Sequence, residues 1–175
     1  ITDLYQKSIS GSKKINSVYF TPQTAYLACD FGIVALNIKK KEFTETYVLN
    51  TDDNSPEILG VLVANDSIYA ITKKKLFVAN IKSNLINYQN WTNLNIPDNN
   101  YDNVKIEFID NVLFLLKSNK NLYKYENNTW KLYKSAINNI SYNDGYTFLV
   151  DSNNKLSTIK DNKTEFLSDN AVDGI

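Results

Sequence analysis

Apolar positions along this chain fall in short runs, alternating or continuous, separated by clusters rich in Asn, Asp, Lys and Ser. Helical spacing is weak throughout. Short runs rich in β-branched and aromatic residues predict strands, and the Asn-Asp, Asp-Gly and Asn-Asn pairs between them predict tight turns. The pattern gives four groups of four strands. The first group is 15–21, 24–30, 32–37 and 42–49; the second is 57–64, 67–72, 75–80 and a short strand at 91–94. The third is 104–109, 112–117, 122–126 and 129–134; the fourth is 136–143, 146–151, 156–160 and 164–168. Asn143-Asp144-Gly145 is a strong hairpin signal, because Gly accepts positive φ without steric cost. In 42–49, parity places Phe43, Glu45, Tyr47 and Leu49 together, opposite Glu42, Thr44 and Thr46, as expected of a half-wet outer strand.

The groups repeat one another. The stretches AYLACDFGIVALNI (25–38), IYAITKKKLFVANI (68–81), LFLLKSNKNLYKYE (113–126) and TFLVDSNNKLSTIK (147–160) are each strand, polar turn, strand. One aromatic recurs as Tyr26, Tyr69, Phe114 and Phe148, at intervals of 43, 45 and 34 residues. A second recurs as Tyr47, Trp91, Trp130 and Phe166, at intervals of 44, 39 and 36. Two markers keeping one order and nearly one pitch of about 40 residues are the sign of β-propeller blades. The expected fold is all-β, with about four four-stranded blades as an arc of a larger propeller. The expected division is 1–14 as the end of a preceding blade, blades at 15–50, 51–95, 96–135 and 136–168, and 169–175 leading into the next, all in one propeller domain. An extra segment at 81–90 explains the longer second unit. The two flanks of such an arc would be open apolar faces, so the isolated segment is expected to aggregate or fail to fold.

Composition narrows the chemistry. The 175 residues are 43% hydrophobic and 13% aromatic, which suits a globular β protein. All 19 cations are Lys, balanced by 19 acidic residues, with no Arg and no His. The Lys, Asn and Ile bias reads as the codon composition of an AT-rich bacterial genome. Zero net charge without Arg argues against a nucleic-acid binder. Lack of His removes imidazole as a general base or metal ligand. Cys29 is the single cysteine, lies in an apolar strand and reads as a buried, inert thiol. Met is absent, so Ile1 is expected not to be a translation start. No run approaches 18 apolar residues, and no signal peptide is visible, although a trimmed N-terminus would hide one.

Candidate binding residues each have a plainer reading. Thr51-Asp52-Asp53-Asn54-Ser55 and Asp98-Asn99-Asn100-Tyr101-Asp102-Asn103 offer oxygen ligands for Ca²⁺ but lack EF-hand spacing, so solvated turns are favoured. Lys39-Lys40-Lys41 and Lys73-Lys74-Lys75 fall in different hairpin types and are not expected to form one patch; either would meet a phosphate as point charges. Trp91 and Trp130, with Tyr47 and Phe166, read as packing between blades rather than sugar platforms. Asn-x-Ser/Thr matches such as Asn65-Asp66-Ser67 carry little weight in an Asn-rich chain. No catalytic, metal, cofactor or ligand-binding residue is nominated.

The stretches SISGSKKINSVYF and AYLACDFGIVALNIKKKEFTETYVL, together 8–49, resemble the N-terminal propeller of the PorZ-type components of the type IX secretion system of Bacteroidetes. The resemblance continues through IYAITKKKLFVANI and NLINYQNWTNL (84–94), the latter like a family insert that ends in Trp, and covers roughly 1–95. Beyond that the blades are generic. Lys73-Lys74-Lys75 stands where sensor-type blades often carry Gly. The resemblance implies a non-catalytic subunit on the extracellular face of the outer membrane. It implies partners in the attachment complex, including a sortase-like peptidase, and anionic lipopolysaccharide as a further one. It implies no cofactor and no nucleic acid. The alternative is a periplasmic glycan-sensing propeller of a hybrid two-component regulator. A propeller enzyme is disfavoured, since the chain offers no evident catalytic group.

Overall fold

The computed structural model describes residues 12–49, 56–143, 145–160 and 163–169. Sixteen strands form four antiparallel four-stranded sheets, each in simple up-and-down order. The first sheet is β1 (Ile15–Phe20), β2 (Thr24–Cys29), β3 (Gly32–Asn37) and β4 (Glu42–Tyr47). The second is β5 (Gly60–Ala64), β6 (Ser67–Ile71), β7 (Leu76–Asn80) and β8 (Thr92–Leu94). The third is β9 (Asn103–Ile109), β10 (Val112–Lys117), β11 (Leu122–Glu126) and β12 (Thr129–Lys134). The fourth is β13 (Ile137–Asn143), β14 (Tyr146–Asp151), β15 (Leu156–Lys160) and β16 (Lys163–Ser168). Among the described residues one 3₁₀ turn, Tyr88–Asn90, interrupts this pattern. The strands are those expected from the apolar runs, and the sheets are propeller blades in composition and order.

Turn chemistry sets the hairpins. Asn65-Asp66, Asp110-Asn111 and Asn127-Asn128 all hold φ between 47° and 63°, the two-residue I′ geometry that matches strand twist. Asn and Asp tolerate it because their short side chains bond locally. The Asn143-Asp144-Gly145 turn includes a residue outside the described set; Gly145 itself holds φ 81°.

The chain divides into two compact units, Ile1–Asn95 and Ile96–Ile175. In the first, Tyr26, Ala28, Ile33 and Ala35 of the first sheet meet Val61, Ile68, Ala70, Phe77 and Ala79 of the second. The four alanines thin the seam. The innermost strands are also tied: Tyr19 Oη donates to Val63 O at 2.9 Å, and Asn16 Nδ2 donates to Ile58 O at 2.9 Å. The opposite face of the first sheet holds a second cluster of Ala25, Leu27, Cys29, Phe31 and Val34. In the second unit, Ile109, Phe114, Leu116 and Leu122 pack against Ile137, Ile140, Leu149 and Ile159. Tyr133 meets Phe114 edge-on, ring centroids 5.3 Å apart. Lys105 Nζ donates to Ile140 O at 2.6 Å.

Two local differences from the sequence pattern have physical causes. β4 carries a bulge: Leu36 pairs Phe43, but Ala35 pairs Glu45, leaving Thr44 extra. The bulge reverses parity, so Phe43 packs with the outer cluster while Tyr47 enters the seam. Residues 57–59 lie ahead of β5, because the Ile58 N–H bonds Cys29 O across the seam at 3.1 Å. Bulges also recur at the second residue of β1, β9 and β13, at Asn16, Val104 and Asn138.

Candidate interaction surface

Tyr26, Tyr69, Phe114 and Phe148 are structurally equivalent. Each is the third residue of the second strand of its sheet, opposite Tyr19, Leu62, Glu107 and Ser141 respectively. Tyr26 and Phe114 face the following sheet of their own unit and are buried there. Phe148 stays half-exposed and lines a concavity of about 460 Å³ with Gly145, Tyr146, Thr158, Ile159, Glu165 and Leu167.

The second aromatic set is not a single repeat position. Trp130 pairs Tyr125, and Trp91 stands one residue ahead of Thr92, which pairs Val78; these two are equivalent. Tyr47 pairs Ile33 and Phe166 pairs Ser157, which are different places in the ladder: Phe166 stands where Leu132 does in the third sheet, and Phe43 rather than Tyr47 takes the place of Trp130. Tyr47 and Trp91 meet in the first unit's core, centroids 6.4 Å apart. Trp130 rests on Tyr125 at 5.0 Å. Phe166 is 57% exposed, with Lys155 Nζ 5.9 Å from its ring. Packing between sheets therefore accounts for Tyr47 and Trp91 but not for Phe166.

The loop at 98–103 is a structural clasp. Asp98 Oδ2 accepts from Asn119 Nδ2 at 3.0 Å and from Tyr123 Oη at 3.4 Å. Asp102 bonds Ser118 twice, through its N–H and its carbonyl. Asn103 accepts from Lys117 Nζ at 2.8 Å, and Lys117 is only 1% exposed. Among the described residues no group of three His, Cys, Asp or Glu side chains is placed to hold a metal ion. The 51–55 loop lies outside the described residues.

The Lys triplets close turns. Lys40 N–H donates to Asn37 Oδ1, and Lys41 takes φ 58°. Thr72 Oγ1 accepts from the N–H groups of Lys74 and Lys75, and Lys73 pairs Glu57 at 3.7 Å. Asn16 bonding Ile58 and Tyr19 bonding Val63 show that β1 and β5 run side by side in the same direction. The β3–β4 turn and the β6–β7 turn therefore lie at opposite ends of neighbouring sheets, and the triplets form two separate sites of charge. Asn65 is half of a tight turn, and Cys29 is fully buried, with its thiol pushed up to about 11 by burial and by Asp30.

Sequence reasoning passed over two features. Lys105 and Glu107, two apart on β9, form an ion pair at 3.3 Å. Burial raises the Glu107 carboxyl above the usual glutamate range, and Lys105 offsets part of that rise. Opposite charges at i and i+2 in a strand were the available signal. The other feature is the segment between β7 and β8. Leu85 plugs the core, and Trp91 Nε1 donates to Leu85 O at 3.0 Å. The same segment leaves Ile86 and Tyr88 exposed. This segment thus presents apolar and amide groups at the surface.

No curated protein matches the sequence. Among solved structures the chain is similar to PorZ of Porphyromonas gingivalis, an essential bacterial surface component of the type IX secretion system. The TM-score is 0.71 at 21% identity, over 88% of this chain and 21% of that one. It is also similar to an extracellular domain assigned to a hybrid two component system of B. thetaiotaomicron (TM-score 0.64, 16% identity, 91% and 24% covered). The N-terminal domain of Nup159 follows at TM-score 0.62 and 10% identity, with 89% and 44% covered. At these identities the likenesses show the fold. The chain spans about a fifth of the length of PorZ. The family model described as TSS9, PorZ, N-terminal beta-propeller domain matches residues 1–92, more than half of the chain. Four blade-like sheets and that match lead to one assignment: the chain belongs to the family of PorZ N-terminal β-propeller domains.

Proposed function

We propose that this chain is the propeller part of a non-catalytic cell-surface subunit of a type IX secretion system. In this reading it scaffolds the attachment complex around a sortase-like peptidase and contributes to holding anionic lipopolysaccharide. The family match over 1–92 carries the reading. Three features support a binding rather than a chemical role. The sequence contains no His or Arg. Its two Lys triplets sit in turns, and Lys39, Lys40 and Lys41 are all exposed, where an anion would meet them as point charges. Exposed aromatics and aliphatics include Leu132, Phe166 and Leu167 on fourth strands and Ile86, Tyr88 and Tyr101 in loops, ground on which partners dock. Among the described residues no helix is long and apolar enough to cross a membrane.

The test is recovery from a bacteroidete outer membrane with the full-length protein as bait. Co-recovery of other secretion components is expected. Recovery without any of them overturns the reading. A transmembrane helix and a kinase encoded downstream in the same gene would establish the sensor alternative instead.

A further inference from the structure

The two lysine triplets differ in how their charge is met. In the β6–β7 turn Lys73 lies 3.7 Å from Glu57, and the N–H groups of Lys74 and Lys75 fold back on Thr72 Oγ1. Lys39, Lys40 and Lys41 of the β3–β4 turn are all exposed, and among the described residues none of the three forms an ion pair. The turn that carries them is fixed by backbone bonds. Asn37 Oδ1 accepts from Lys40 N–H at 2.9 Å, and Asn37 O accepts from Lys41 N–H at 2.8 Å. Ile38 N–H donates to Gln23 O at 3.0 Å, which ties this turn to the one between β1 and β2.

The surroundings leave that charge uncompensated. β5 runs beside β1 in the same direction, so the β5–β6 turn lies at this same end of the unit. There Asp66 is already paired with Lys82 at 3.0 Å. Glu42 is the one acidic residue that adjoins the triplet in sequence, so three ammonium groups against one carboxylate leave an excess of two. A lone anion gains little from an exposed ammonium in water. A ligand whose charges repeat along a chain gains more, because each later contact is intramolecular and each releases counterions. Lys has no planar fork, so the turn reads density of charge rather than the shape of one anion. A nucleic acid needs a wide basic face, which a chain of zero net charge with a neutral ion pair beside the turn does not offer. An acidic polysaccharide needs only a narrow cationic contact.

We propose that the Lys39-Lys40-Lys41 turn is an anion contact that takes a polysaccharide bearing repeated carboxylate or phosphate groups, and that Lys73-Lys74-Lys75 is not one. The inference rests on the cell-surface reading above. Its test titrates the full-length protein at low salt with the lipid-free polysaccharide of a bacteroidete anionic lipopolysaccharide. Wild type is compared with a Lys39→Gln, Lys40→Gln, Lys41→Asn triple variant, in which Asn suits the φ of 58° at position 41. Lys73→Gln is the control. Expected are an unchanged melting temperature, a loss of affinity of about tenfold or more and a flatter salt dependence for the triple variant, with no change for the control. If the triple variant melts lower, Lys39→Glu is read in its place, with a loss in the same direction expected. Undiminished binding by a folded variant overturns the inference, as does an equal loss in Lys73→Gln. Tighter binding of duplex DNA than of the polysaccharide, or binding only when the lipid is present, also overturns it. Recovery of secretion components by wild type is followed in parallel: its failure removes the secretion reading, whereas a failure of the titration alone removes only the turn as an anion contact.

Discussion

Gly32 opens β3 at φ +142°, a conformation that L side chains rarely adopt, and a Cβ there would stand 2.3 Å from Tyr47 O. Both the backbone and the space therefore require glycine. Gly32→Ala is expected to destabilise the first unit by about 2 kcal/mol or more, read as a drop in the urea midpoint; an unchanged midpoint would show that β4 can shift away. Glu107 works through charge. Its carboxyl is raised in the folded state, so protonation favours folding. Its contribution is fully present below the unfolded glutamate value and is lost as pH rises through the folded one. At pH 7 the ionised group therefore costs stability. Glu107→Gln is expected to be more stable relative to wild type at pH 7 than at pH 4, and a gap that is constant or grows toward acid refutes this. Asp151 has the opposite sign. N–H bonds from Lys155 and Asn153 hold its carboxyl low, so its contribution is present above the unfolded aspartate value and is lost as pH falls through the folded one.

At the scale of elements, strands were legible because a half-buried sheet imposes a period of two on its sequence. The I′ turns were legible because few residues accept φ above zero twice in succession. Bulges were not. Thr44 in β4 is an ordinary strand residue, and its extra place in the ladder follows from how Tyr47 and Phe43 pack on opposite faces. Nor was the role of Leu85 legible, since one Leu in a polar insert has no periodic context. Its burial makes a prediction about the insert as an element. Leu85→Ala is expected to cost about 2–4 kcal/mol and to shift Trp91 emission to the red, because Trp91 is 8% exposed and bonded to the Leu85 carbonyl. Loss of stability without a spectral shift would mean that the loop holds Trp91 by its amide bonds alone.

At the scale of the molecule, each unit seals one seam between two sheets and leaves other faces to different occupants. In the second unit Phe114 is covered, whereas Phe148 borders an open concavity beside Tyr146, 65% exposed, and Leu167, 49% exposed. Exposed apolar ground of this kind drives association. The 175-residue chain alone is expected to self-associate at micromolar concentration, and Leu167→Lys to reduce that association. A monomer in sedimentation with a cooperative melt would count against both. The sequence by itself determined the strands, their grouping in fours, the tight turns and the family, because these depend on local preferences and on a repeating pattern. Only the tertiary structure decided which aromatics meet and which lysine is buried against Asn103. Those outcomes depend on bulges, on contacts between sheets and on the competition for buried hydrogen bonds, none of which has a period that a chain can display.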